Sequence, residues 1–102
     1  MSIKIYIAGP VSGHKWDERV AYFAAKAEAL RALGHEPVNP LEGQPANTSW
    51  ADALKHDIPL LVACQGIYLS SGWERSRGAR LELHIAVELG LKVLNEEGKD
   101  AT

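Results

Sequence analysis

Residues able to do chemistry concentrate between Ser70 and Glu82, SSGWERSRGARLE. Ser76 stands where a helix should begin, so its hydroxyl and the free backbone N–H groups beside it would hold an anion. Gly78 then lets a ligand approach closely, because it has no side chain to obstruct one. Glu82 falls about one and a half turns into that helix, near its start rather than far along the surface. Its neighbours Leu81, Leu83 and Ile85 are apolar. A carboxylate shielded from full solvation there and aimed at an electrophilic carbon would suit covalent glycosyl transfer. The competing reading is a salt bridge from Glu82 to Arg77, Arg80 or Lys55.

Other polar residues fall at the ends of apolar runs. Gly9-Pro10-Val11-Ser12-Gly13 would bring backbone N–H groups close to a base, sugar or phosphate, or would simply form a tight turn. Asn39 opens a second loop. Asp52 and Asp57 are spaced so that they do not share one helix stripe. Asp57 either turns inward at a helix break by Pro59 or pairs locally near His56. Trp50 and Trp73 border loops and offer a stacking surface for a planar base, with core packing as the alternative; Trp16 reads as core or interface. His14 follows the glycine loop. Neither His14 nor His35, His56 and His84 shows the spacing of a metal site, so no metal is expected. The dinucleotide spacing GxGxxG and the nucleotide clamp GxxxxGK[ST] are both missing, which argues against a nicotinamide cofactor or ATP machinery.

The elements that must position these residues follow from periodicity. Ile3 to Ala8 is a short apolar run rich in β-branched and aromatic residues, the expected central strand. Trp16, Val20, Phe23, Ala27 and Leu30 recur at helical steps, predicting an amphipathic helix over Trp16 to Leu33 that Gly34 ends. His35 to Val38 follows as a strand, and Leu41 to Thr48 as a loop. Ser49 would cap a helix starting near Trp50, in which Pro59 should cause a kink or a break into two. GIYL, residues 66–69, is a third strand, and Ser70 to Trp73 a loop. A helix face from Glu74 to Leu89 ends at Gly90 and leads to the strand LKVL. The tail EEGKDAT is expected to be loose. The alternation predicts a small three-layer flavodoxin-like or Rossmann-like parallel α/β sheet with helices on both faces. The ligand crevice of such a sheet lies beyond the C-terminal ends of its strands, where the Gly9 loop, Asn39 and Ser70 to Gly78 converge.

Composition narrows the alternatives. The chain has 102 residues, 46% of them apolar and 24% charged, so one domain over residues 1–102 is expected. A balance of 11 Lys and Arg against 13 Asp and Glu, with no long run of either sign, does not point to a nucleic-acid polymer. Cys64 lies in LLVACQGIYL and reads as a buried thiol. No apolar run approaches the ~20 residues of a membrane span, and MSIKIYIAGP lacks the order of a signal peptide, so no membrane partner and a cytoplasmic location are expected.

Taken in order, IYIAGPVSG, GHEPVNP, Asp57 before CQGIYL, and GWERSRGARLELHIAVELG resemble the nucleoside 2-deoxyribosyltransferase-like superfamily. The resemblance covers about residues 3 to 94 and is strongest to its small, poorly characterised branch. It implies cleavage of an N-glycosidic bond in a nucleoside or nucleoside 5′-monophosphate through a glutamyl–sugar intermediate, with water or another base as acceptor and no cofactor. Glu82 would be the nucleophile, and Asp57 would orient or protonate the reacting groups. Gly9, Pro10, Ser12 and Gly13 match the sugar- and base-binding turn, while Ser76 and Gly78 match the anion-binding helix start of the monophosphate hydrolases. The transferases usually carry aspartate where Ser76 stands, which favours a phosphate-bearing substrate. Gln65 replaces a common aspartate, and Ser12, Gly13, His14 and Lys15 replace an arginine-rich loop. The resemblance also implies a homodimer or larger homo-oligomer. Two alternatives stay open: strict base exchange, and a nucleotide-binding domain without turnover.

Overall fold

The computed structural model describes residues 2–101. Four short parallel strands form one sheet: β1 (Lys4–Ala8), β2 (Glu36–Val38), β3 (Gly66–Leu69) and β4 (Lys92–Leu94), in the order β2-β1-β3-β4. Between them run α1 (Trp16–Ala32), α2 (Trp50–Val62) and α3 (Arg77–Glu88).

The strands are apolar on both faces, and their period of two divides the core. Ile5 and Ile7 of β1, with Tyr68 and Leu94, pack against Phe23, Ala27 and Leu30 of α1. Tyr6 and Ala8 point the other way, joining Ile67, Leu69 and Val93 under Leu61 of α2 and Ala79 and Ala86 of α3. Helices thus cover both faces of a flavodoxin-like or Rossmann-like three-layer sheet, as the alternation of elements predicts. The strand order reverses direction between β1 and β3, which opens a crevice at their C-terminal ends.

Most helix ends follow local rules. Gly34 and Gly90 adopt φ of +89° and +73°, and the amides after them, His35 and Leu91, return to the carbonyls of Leu30 and Ala86. Ser49 caps α2 by accepting from Asp52 N at 3.1 Å, and Ser76 caps α3 by accepting from Ala79 N at 3.2 Å.

The structure corrects four local expectations. α2 runs through Pro59 as one helix; the ring lies on the exposed side, where the carbonyl deprived of its donor can meet water. The helix expected from Glu74 begins only at Arg77, because Trp73–Arg75 closes a tighter 3-10 turn first. Residues 96–101 of the tail are not loose: they turn back so that Asn95 N donates to Lys99 O at 2.8 Å and Ala101 N to Val93 O at 2.7 Å, while Thr102 lies outside the described residues. Val20, placed on the buried stripe of α1, is instead 37% exposed. Among the described residues no helix is long and apolar enough to cross a membrane.

Candidate functional site

Beyond the C-terminal end of β1 lies a cavity of about 280 Å³, walled by the loops after β1 and β2 and by all three helices. β1 supplies Tyr6 and Gly9 just beyond it; the loop after β2 supplies Leu41 and Gln44; α2 supplies Trp50 and Asp57; α3 supplies Gly78 and Glu82.

Glu82 is the buried carboxylate of this cavity, 5% exposed. It sits on the inward face of α3 between Ala79 and Ala86, both buried, so the helix has no freedom to turn the carboxylate out. Its partner is the Tyr6 hydroxyl, which donates to Oε2 at 2.6 Å. No basic side chain pairs with it among the described residues. Loss of hydration pushes Glu82 up to about 8, the Tyr6 hydrogen bond works against that rise, and the charge of Asp57 adds to it. Burial likewise raises Tyr6, reinforced by the Glu82 and Asp57 charges.

Asp57 forms the other polar wall. Its Oδ1 lies 2.8 Å from His56 Nδ1 and accepts from Gln44 Nε2 at 3.2 Å. Gln44 is itself anchored by donating to Pro40 O at 3.0 Å, so the loop after β2 clamps the aspartate from above. Burial raises Asp57, and its contacts with His56, Gln44 and Tyr6 oppose the rise. Asp57 thus pairs locally with His56 and borders the cavity without the helix break at Pro59 on which the inward reading depended.

Gly9 is fixed by packing. A Cβ there would lie 1.9 Å from Ser70 Oγ, and Ser70 is fully buried and donates to Ala8 O at 2.8 Å. Gly13 turns the loop with φ of +83°. Gly78 has only Trp50 Nε1 within 4 Å of a Cβ position, at 3.8 Å, so its missing side chain leaves space open to the cavity.

Of the residues singled out in the sequence, Glu82, Asp57, Gly9, Ser12, Gly13, Ser76 and Gly78 line this cavity. Pro10 borders an adjoining cleft. Asn39 and Trp73 lie outside the cavity lining: Asn39 Oδ1 accepts from Leu41 N at 3.0 Å within the loop, and Trp73 packs against the core and borders an outer groove. Trp50, His14 and Trp16 do line it. Sequence reasoning missed Tyr6 and Gln44. A tyrosine within a buried strand is a usable signal, since its hydroxyl needs a partner; Gln44, in an aperiodic loop, carries none. Among the described residues no group of three or more His, Cys, Asp or Glu side chains is arranged to hold a metal ion.

The arrangement sets one shielded carboxyl group and a second, clamped one around Tyr6 in a cavity with aromatic and glycine walls. That is a setting for attack on an electrophilic carbon with a second carboxyl group at hand for proton transfer.

A family described as a domain of unknown function (DUF4406) matches residues 3–95. None of the curated proteins matches the chain in sequence. Among solved structures, a conserved protein from Enterococcus faecalis V583 aligns with TM-score 0.68 and 20% identity, over 93% of this chain and 63% of its own. The 2-deoxyribosyltransferase of the psychrotolerant bacterium Bacillus psychrosaccharolyticus aligns with TM-score 0.65 and 22% identity, over 90% of this chain and 70% of its own. The 2-desoxiribosyltransferase of Leishmania mexicana aligns with TM-score 0.68 and 26% identity, over 90% of this chain and 62% of its own. This chain thus spans 62–70% of the length of these three structures.

Proposed function

We propose that this chain, which belongs to the DUF4406 family of domains of unknown function, breaks the N-glycosidic bond of a nucleoside or nucleoside 5′-phosphate and passes the sugar to an acceptor base. The observation that carries the reading is the buried Glu82 carboxyl, held by Tyr6 at 2.6 Å in a cavity that Asp57 also lines. The likeness to two 2-deoxyribosyltransferases supports transfer to a base ahead of transfer to water.

In this reading Glu82, once ionised, attacks the anomeric carbon. The C–N bond breaks, its electron pair leaves with the base, and Asp57 delivers a proton to a base nitrogen directly or through water. The resulting glycosyl ester is resolved by the reverse steps with an incoming base. Tyr6 is a positioning residue: its O–H holds Glu82 Oε2 and stabilises the charged form. Gln44 and His56 do the same for Asp57. Gly9, Ser12 and Gly13 bring backbone to the sugar, Trp50 offers a face to the base, and Ser76 and Gly78 hold the 5′ side. The whole of residues 1–102 acts as one domain, and no cofactor is needed.

Chromatographic detection of free or exchanged base tests the reading, with ribo- and deoxyribonucleosides and their 5′-phosphates, with and without acceptor base. Exchange faster than release, abolished in folded Glu82→Ala, is expected. Saturable binding with no base released from any member would leave a nucleotide-binding domain. Turnover unchanged in Glu82→Ala would remove Glu82 as nucleophile.

A further inference from the structure

A second cleft, of about 740 Å³, opens beside the cavity and shares Ser12, Trp50, Ser76 and Gly78 with it. Its walls carry Arg19, Arg75 and Arg77 together with His14, and no acidic residue. In a chain of formal charge -2, that concentration of one sign needs an explanation. Among the described residues no carboxylate lies within 4.0 Å of any of the three guanidinium groups.

Two of the three are held in place without using up their donors. Arg77 lies over the Trp50 ring, 3.8 Å from its centroid, and Arg19 lies over Tyr22 at 4.3 Å while giving one N–H to Pro10 O at 3.0 Å. Stacking fixes the plane of a guanidinium and leaves in-plane N–H groups aimed outward, the geometry that receives phosphate oxygens in pairs. The first amides of α3, those of Arg77 and Gly78, have no acceptor within the helix and border the same space. A single phosphate would engage the α3 end where the two spaces meet. It would leave the arginines farther along the cleft unneutralised.

We propose that this cleft binds a chain of two or more phosphates, so that the ligand is a nucleoside 5′-di- or triphosphate whose sugar reaches Glu82. The nucleoside half of that ligand rests on the reading under Proposed function; the polyphosphate half rests on the arginines alone. The shared residues Ser76 and Gly78 then sit at the first phosphate, with Arg77, Arg75 and Arg19 along the remainder.

The test is calorimetric titration of the full chain with inorganic tripolyphosphate and with inorganic phosphate, run beside base release from a nucleoside and its 5′-triphosphate. Wild-type protein should bind tripolyphosphate at least about tenfold more tightly than phosphate. Arg75→Gln combined with Arg77→Gln should weaken tripolyphosphate about tenfold or more, as expected for lost charge-assisted hydrogen bonds. The same pair should lower the triphosphate-to-nucleoside ratio of kcat/KM by a similar factor. Both side chains are exposed, so the fold should tolerate the change, and Arg75→Lys with Arg77→Lys should restore only part of the binding, because an ammonium keeps the charge without the paired N–H groups. Equal affinity for the two anions, or tripolyphosphate binding untouched by the glutamines, overturns the proposal. Arginine-dependent tripolyphosphate binding with no base released from any nucleotide upholds the cleft and sinks the glycosidic reading. Base release with no preference for the triphosphate and no response to the glutamines does the reverse.

Discussion

At the scale of single residues, the site is governed by a conflict over the Glu82 proton. A nucleophile must be ionised, yet burial pushes Glu82 up to about 8, so the carboxylate is the minority form at neutral pH. With Glu82 as nucleophile and a nucleoside whose base leaves without taking a proton, so that the state of Asp57 does not enter the rate, kcat/KM should climb with pH and level off above about 8, leaving the rate at pH 7 at about a tenth of the plateau. A profile that falls over the same range would make Glu82 an acid instead. Tyr6 sharpens the test, because its O–H favours the charged carboxylate. Tyr6→Phe should move the inflection upward by about one pH unit, the worth of a hydrogen bond to a charged group. A merely structural Tyr6 would lower the rate and leave the inflection where it was. Glu82 was legible as a candidate from its apolar neighbours. Its partner was not, since the two are 76 positions apart and only the facing of β1 and α3 brings them together.

At the scale of elements, local chemistry was legible wherever one residue decides the outcome. Ser49, Ser76, Gly34 and Gly90 each end or begin a helix where their types predict. The break that Pro59 could have caused does not occur, because a helix interior tolerates the lost hydrogen bond when the gap faces water and the buried side, with Leu61, keeps its packing. The start of α3 allows packing to be separated from binding. Aspartate caps a helix about as well as serine, so Ser76→Asp should leave thermal unfolding within about 0.5 kcal/mol of wild type. The added carboxylate, at the junction of cavity and cleft, should weaken a phosphorylated ligand roughly tenfold more than its parent nucleoside. Equal effects on the two ligands would remove the phosphate from this helix end. Gly9 behaves in the opposite way. Gly9→Ala should destabilise the fold by about 1–3 kcal/mol in urea unfolding without any ligand, since Ser70 is fully buried and cannot make room. An unfolding midpoint equal to wild type would show that the loop shifts freely, and would return Gly9 to a binding role alone.

At the scale of the whole molecule, the layers and the parallel sheet follow from alternating strands and helices. The grouping of charge does not, because Arg19 comes from α1 and Arg75 and Arg77 from the approach to α3, with no run of basic residues to announce them. The same fold that gathers them also buries Glu82, and global stability should register that burial. In the unfolded chain Glu82 titrates near 4.5; in the folded chain it holds its proton to about 8. Between those values the folded state binds a proton that the unfolded state has released. The contribution of the buried neutral acid is therefore fully present below pH 4.5 and is lost as pH rises through about 8, at about 1.4 kcal/mol for each pH unit. Asp57 is raised too and acts in the same direction, so the comparison must isolate Glu82. Glu82→Gln is the neutral isostere that does so. Its stability relative to wild type should rise steadily from pH 5 to pH 8 in chemical denaturation, reaching several kcal/mol in favour of the variant. Parallel curves over that range would mean that Glu82 ionises in the folded protein at its ordinary value. An activity gained above pH 7 together with stability lost over the same interval is the joint signature expected of one buried carboxyl group that must give up its proton to act.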